Sequence, residues 1–226
     1  MSYDITVKGG TSVRLPTAGK YCYQDIIVTA ESGGSAEENQ LDARLVGTLK
    51  EINSSVSSVT NYACYGLSSL EVVNLPNATT IGIQAFRACT SLTTFNAPKV
   101  TSISSSYCFY TDNALTEINF PLLISIGDNC FGICTKMTKA DFGAVTDIGT
   151  KAFDRCGVLE TLILRNTSSI ATLANTNAFN STPIETKTGY IYVPSALVDS
   201  YKSATNWSTY ASQFRAIEDY PDICGG

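Results

Sequence analysis

Thr80-Ile81-Gly82-Ile83-Gln84-Ala85-Phe86-Arg87-Ala88-Cys89-Thr90-Ser91-Leu92 aligns with Asp147-Ile148-Gly149-Thr150-Lys151-Ala152-Phe153-Asp154-Arg155-Cys156-Gly157-Val158-Leu159 at the Ile-Gly pair, the Ala-Phe pair, the Cys and the final apolar residue. A third copy runs from Ser125-Ile126-Gly127 through Cys130-Phe131 and Cys134 to Met137. Two weaker copies cover Val59 to Leu70 and Ile103 to Leu115. The anchors Val59, Ile81, Ile103, Ile126 and Ile148 stand 22, 22, 23 and 22 residues apart. A beat that steady marks one supersecondary unit repeated along the chain.

The period lies within the range of about 20–29 residues that leucine-rich repeats occupy. Each unit opens on a Leu-type residue and an alternating segment, such as Leu70-Glu71-Val72-Val73-Asn74-Leu75-Pro76 or Leu92-Thr93-Thr94-Phe95-Asn96-Ala97-Pro98. Period-two alternation predicts a short half-buried strand, with Val73/Leu75, Phe95/Ala97 and Ile118/Phe120 facing inward. Pro or Gly closes the strand, since Pro cannot continue a ladder. The Ile-Gly segment then crosses to the other face, and Ala-Phe-x-x-Cys is expected to form a short helical turn over the core. One such unit cannot bury its own apolar face, so neighbours must stack on it. The predicted fold is a leucine-rich-repeat solenoid of five or six units, made of short parallel strands with helical turns or loops. Stacking places Phe86, Phe131, Phe153 and Phe179 in one aromatic column, with Cys64 and Cys108 in the same slot of the weaker units.

The pattern resembles the BspA-like leucine-rich repeat family, whose units run Ile-Gly-x-x-Ala-Phe-x-x-Cys-x-x-Leu-x-x-Ile-x-Leu-Pro. The resemblance covers residues 56–194. This chain departs from it at Cys64 and Cys108, where Phe is expected, and also at Ala140 and Gly143. It implies a solenoid that binds, in the manner of a bacterial surface adhesin.

The two ends read differently from the middle. Residues 1–31 are expected to form a small β module: Tyr3–Val7 alternates, Gly9-Gly10 turns, and Ser12–Leu15 pairs back as a hairpin. Gly19-Lys20-Tyr21 reads as a second turn, and Gln24–Ala30 as a third strand. The stretch around Gly19–Tyr21 and Asp25–Ala30 resembles short modules at the N-termini of phage and prophage structural proteins. Residues 32–40 read as a Gly/Ser-rich linker, and residues 41–194 as the solenoid, with Leu41–Leu49 beginning its N-terminal cap. Tyr190–Val193 is predicted as the last strand. Residues 195–226 form a helical cap and tail, in which Ser195 N-caps a helix and Trp207, Tyr210 and Phe214 line its apolar face.

Composition narrows the chemistry. Only 15% of residues are charged, and the net charge is −5. No dense Lys/Arg cluster offers to neutralise phosphates, so nucleic acid is not an expected partner. No apolar run reaches the roughly 20 residues of a membrane span, and Met1–Ile5 does not begin a secretory signal. The sequence contains no histidine, which removes Ser–His and Cys–His nucleophiles and every imidazole-bound zinc. Eight cysteines are present, but Cys89, Cys134 and Cys156 share one repeat slot and read as small buried apolar residues. No metal or cofactor is expected, and no enzyme activity.

The outward strand positions are the candidate site. Asn74, Asn96, Asn119 and Asp141 fall in one slot on successive units, beside Thr94, Glu117, Lys139 and Thr161 in the next. Such an exposed polar ladder either binds a partner or lets stacked amides bond each other and solvate the sheet. Two functions follow. The first is a phage or prophage tail or fibre component, held to other virion proteins by its N-terminal module and presenting the solenoid to a host-surface protein or glycan. The second is a BspA-like adhesin at the bacterial cell surface. A homo-oligomer joined through residues 1–30 is expected for the first.

Overall fold

The fold is that of a computed structural model, which describes residues 49–103 and 106–225, together with four strand backbones between residues 3 and 29. The chain coils. Each turn of the coil contributes a main strand and a two-residue strand: β5 (Leu49–Asn53) and β6 (Ser58–Val59), β7 (Val72–Asn74) and β8 (Thr80–Ile81), β9 (Thr94–Asn96) and β10 (Ser102–Ile103). β11 (Glu117–Phe120) and β12 (Ser125–Ile126), β13 (Lys139–Phe142) and β14 (Asp147–Ile148), and β15 (Thr161–Leu164) and β16 (Thr172–Leu173) continue it, and β17 (Tyr190–Val193) follows. Equivalent strands pair in parallel, Val73 with Phe95 and Ile118 with Ala140 among them. The inward residues form one continuous core from Ile52 to Phe214.

The aromatic column exists, with one change of membership. Phe86, Phe109, Phe131, Phe153 and Phe179 stack ring on ring at centroid distances of 5.6, 5.3, 5.4 and 5.6 Å, none tilted by more than 10°. Phe109, not Cys108, holds the slot in the third unit. The Phe86 N–H donates to the Cys108 carbonyl as the Cys64 N–H does to Ala85, so Cys64 does occupy the Phe slot while Cys108 matches Ala85. The extra residue between Ile103 and Ile126 lies ahead of Phe109 and shifts the register there.

Among the described residues the segment over the column is helical only in the last unit, as a 3-10 turn at Thr176–Phe179. Its backbone makes successive i→i+3 turns, from Thr60 to Ala63, Tyr62 to Tyr65 and Cys64 to Leu67. Two positions per unit are left-handed: Tyr62, Gln84, Tyr107, Asn129 and Lys151 in one slot, and Gly66, Ala88, Thr111, Ile133 and Arg155 in the other. The intervening N–H groups reach the next coil, as from Tyr62 to Ile83 and from Cys64 to Ala85. Alternating local and inter-coil bonds satisfy the backbone without a helix. The Ile-Gly pair has a steric reason: a Cβ on Gly82 would lie 2.4 Å from the Asn61 nitrogen. Gly143 is similar, since a Cβ there would sit 1.9 Å from the Pro121 carbonyl oxygen.

With Phe109 in the column, Asp112 takes the slot that Cys89, Cys134 and Cys156 fill in other units. Those thiols donate to the carbonyls of Cys64, Phe109 and Phe131 at 3.2, 3.1 and 3.0 Å. Asp112 is fully buried; its Oδ1 accepts the Cys89 N–H at 2.9 Å, and its Oδ2 has no partner among the described residues. Burial pushes its carboxyl well above the ordinary range, opposed by that single N–H. A raised acid binds more protons folded than unfolded, so its contribution is fully present below the unfolded pKa of about 3.9 and is lost as pH rises towards the folded value. Urea midpoints of the native chain and Asp112→Asn are therefore expected to diverge from about pH 4 upward, the variant becoming relatively more stable by about 1–3 kcal/mol. A constant difference from pH 4 to 8 would mean that Asp112 is ionised where it sits.

The ends revise several expectations. β1 (Tyr3–Thr6) and β2 (Ser12–Leu15) form the expected antiparallel hairpin. Lys20 and Tyr21, read as part of a turn, belong instead to β3 (Lys20–Tyr23), which pairs antiparallel with β4 (Ile26–Thr29). β3 also pairs antiparallel with β5, so a strand from the N-terminal segment extends the main sheet. The linker at 32–40 and most of the cap at 41–49 lie outside the described residues. At the other end Tyr190–Val193 is not last: β18 (Phe214–Ala216) pairs with it in parallel. Between them run a 3-10 turn at Ser195–Leu197, α1 (Val198–Ser203) and a 3-10 segment at Trp207–Gln213. Ser195 caps nothing with its side chain; its N–H donates to the Glu218 carboxylate. Trp207 is core, as its burial and its Nε1 bond to the Ala171 carbonyl at 2.7 Å require.

Candidate functional site

The outward ladder is built by the parallel register, which pairs Asn53 with Asn74, Asn74 with Asn96, and Asn119 with Asp141. The neighbouring slot aligns Val72 with Thr94, Glu117 with Lys139, and Lys139 with Thr161. Thr94, Asn96, Glu117 and Asn119 are exposed, and Asn74 is half-buried. Among the described residues amide stacking occurs once: Asn96 Nδ2 donates to Asn74 Oδ1 at 2.8 Å. The abundant threonines also join coils through hydroxyls. Those of Thr93, Thr101 and Thr138 donate to the carbonyls of Glu71, Thr79 and Thr116 one unit earlier.

The main sheet is not continuous. β5, β7 and β9 belong to one ladder and β11, β13, β15, β17 and β18 to another, and the short strands divide likewise between β10 and β12. The division coincides with the 23-residue unit. Where β9 and β11 run side by side without a ladder, a groove of about 350 Å³ opens on the outward face, its walls including Thr94, Phe95, Glu117, Asn119, Lys139 and Asp141. Hydroxyls, an amide, two carboxylates and the Lys139 ammonium group line it above the buried Phe95. That mixture suits an extended polar ligand bonded through amides and hydroxyls.

The far end of the predicted ladder is already occupied. Asp141 is buried and its two oxygens are held by Arg165, Nε at 2.7 Å and Nη2 at 2.8 Å. Lys139 Nζ donates to the Ile223 carbonyl at 2.8 Å, and Arg165 also donates to the Cys224 carbonyl. These contacts seat α2 (Pro221–Cys224) on the sheet, where Cys224 packs on Ile163 and Tyr192, with Ile217 and Tyr220 against them. Of the eight predicted site residues, the structure leaves Asn74, Thr94, Asn96, Glu117 and Asn119 around an open face; Asp141 and Lys139 instead hold this chain's own tail, and Thr161 is half-buried beside them. Arg165 was missed by sequence reasoning. The signal for the covered end was present in Leu162-Ile163-Leu164 and Tyr190-Ile191-Tyr192-Val193, runs that are apolar on both faces of a strand.

The cysteines offer no reactive group among the described residues. The seven described thiols are free and buried, and burial pushes those of Cys64 and Cys130 up to about 12. A protonated thiol in an apolar slot is a packing residue. Among the described residues no group of three or more Cys, Asp or Glu could hold a metal, and no helix is long and apolar enough to cross a membrane.

A parallel coil of 22-residue units with an open outward sheet face is a leucine-rich-repeat solenoid. The chain belongs to the BspA type leucine-rich repeat region family, six copies of which match residues 51–186. The solved structures similar to it include two leucine-rich proteins. A leucine-rich cell surface protein from Faecalibacterium prausnitzii A2-165 is 22% identical over 64% of this chain and 46% of its own, with a TM-score of 0.41. A leucine-rich repeat protein of T. pallidum is 22% identical over 72% of this chain and 57% of its own, with a TM-score of 0.34. This chain thus spans about half the length of each. No curated protein matches it.

Proposed function

We propose that this chain is a non-catalytic binding module whose open sheet face, from Asn74 to Asn119, engages a protein or glycan at a bacterial surface, as an adhesin does. The observation that carries this is the groove between β9 and β11, where the exposed Thr94, Glu117 and Asn119 converge and, among the described residues, bond to no other side chain. The family match supports the adhesin over a virion component, because it covers the solenoid and not residues 19–30. Secretion or sortase genes beside its gene would agree with this reading; tail and holin genes would favour the virion.

The direct test replaces Asn96 and Asn119 together by arginine and measures labelled protein on cultured epithelial cells and on a panel of bacterial strains by flow cytometry. Both positions are exposed, so stability is expected to stay within about 0.5 kcal/mol per site. Binding shown by the native chain is expected to fall at least tenfold. Unchanged binding at unchanged stability removes this face as the reader surface.

A further inference from the structure

The turns over the column carry a second surface that the sheet face does not explain. Tyr62 and Tyr65 lie on the first coil, Gln84 and Arg87 on the second, Tyr107 and Tyr110 on the third, all in the same two slots. The Arg87 Cζ lies 5.7, 5.4 and 5.3 Å from the ring centres of Tyr65, Tyr107 and Tyr110. Tyr107 meets Tyr110 edge to face at 5.0 Å, and Tyr62 meets Tyr65 at 6.4 Å. Tyr65 is 47% exposed and the others are half-buried.

Nothing in the coil requires this composition. The next two coils place Asn129 and Gly132, then Lys151 and Asp154, in the same slots. Tyr62 and Tyr107 are left-handed, at φ of 59° and 63°, a conformation uncommon for any non-glycine residue and more easily taken by the Asn at 129. Gly132 clears room for the cluster: a Cβ there would approach the Tyr110 ring to 2.8 Å. The same left-handed φ recurs at Gln84 and Lys151, so what sets this place apart is the ring cluster around Arg87 and the space cleared for it, which point to use rather than packing.

We infer that this cradle binds a carboxylate from an acidic segment of a partner protein. Among the described residues the Arg87 side chain has one hydrogen-bonded partner, Gln84 Oε1 at 2.8 Å from Nη1, and no carboxylate pairs with it. Rings flank the guanidinium and partly dry it, leaving N–H donors for a carboxylate, which a planar guanidinium takes in two parallel bonds. Tyr and Arg are also the side chains that dominate binding energy at protein interfaces. Three coils span about 10 Å between the outer two, at about 4.8 Å per step, a length that about three residues of an extended peptide cover. The net charge of −5 does not draw an acidic partner from afar, so recognition is local to Arg87.

The test titrates the full chain, selectively labelled at its tyrosine rings, with a hexaglutamate peptide, a hexaglutamine peptide and a hyaluronan hexasaccharide, following ring NMR signals. Hexaglutamate is expected to move the signals of Tyr65, Tyr107 and Tyr110, and hexaglutamine to leave them in place. Arg87→Gln is expected to weaken the hexaglutamate effect at least tenfold, and Tyr65→Ser, at an exposed position, several-fold with the fold intact. The Asn96 and Asn119 double substitution should leave the effect unchanged, which separates this surface from the sheet face. No shift with millimolar hexaglutamate, equal shifts with hexaglutamine, an unaltered response in Arg87→Gln, or tighter binding of the hexasaccharide would each overturn the inference.

Discussion

Phe131→Ala is expected to lower the unfolding free energy by about 3–5 kcal/mol, the usual cost of emptying a large buried aromatic site. Phe131 is fully buried, stacked on Phe109 at 5.3 Å and on Phe153 at 5.4 Å, with Phe142 tilted against it at 6.0 Å. Its neighbours belong to the coils on either side, so they cannot collapse into the gap without leaving their own slots. In a solenoid each unit is coupled only to those beside it. The loss should therefore appear as lost communication as well as lost stability. Urea unfolding followed by circular dichroism is expected to show a lower midpoint, and a shallower slope if the two halves begin to unfold separately. A midpoint shift worth less than about 1 kcal/mol would mean that the column is not the core's spine.

Trp207→Ala should cost a similar amount, about 3–5 kcal/mol, by a different route. Trp207 does not join two coils; it closes the end of the stack. Its ring lies 5.9 Å from Phe179, the last member of the column, and meets Tyr201 and Phe214 at 5.4 and 5.7 Å. Removing it opens the final coil to water and strands the buried Ala171 carbonyl that its N–H satisfies. Trp207→Phe keeps much of the buried area but not the bond, so it should cost less. Hydrogen exchange gives the discriminating pattern: in Trp207→Ala, protection is expected to fall first at Tyr190–Val193 and Phe214–Ala216, while β5 to β9 keep theirs. A uniform loss along the chain would argue against the lid.

The repeat was legible because a single coil cannot hide its own Ile, Phe and Leu; the 22-residue spacing reports directly which side chains stack. The same logic gave the outward slot of Asn74, Asn96 and Asn119. Register within the irregular unit was not secured from its N-terminal anchor alone, because Ile103 sits six residues before Phe109 whereas Ile81 sits five before Phe86. Reading backward would have found it, since Cys108-Phe109 matches Cys130-Phe131. The left-handed turns gave little sign of themselves: at ten of the eleven such positions from Tyr62 to Ser181 the chain uses a residue other than glycine. The tail over Asp141 and Lys139 was hidden for a different reason. Its contacts join residues 84 and 59 apart in sequence, and periodicity carries no information about a segment that folds back across the coils.

The central claim is the stacking register, and one double-mutant cycle tests it most directly. Phe131→Leu, Phe109→Leu and their combination would be measured by urea unfolding beside the parallel cycle of Phe131→Leu with Cys108→Ala. Stacked rings are expected to give a coupling of about 0.5–1.5 kcal/mol between Phe109 and Phe131, exceeding any between Cys108 and Phe131. Additive effects for the phenylalanine pair, or a larger coupling to Cys108, would contradict the account.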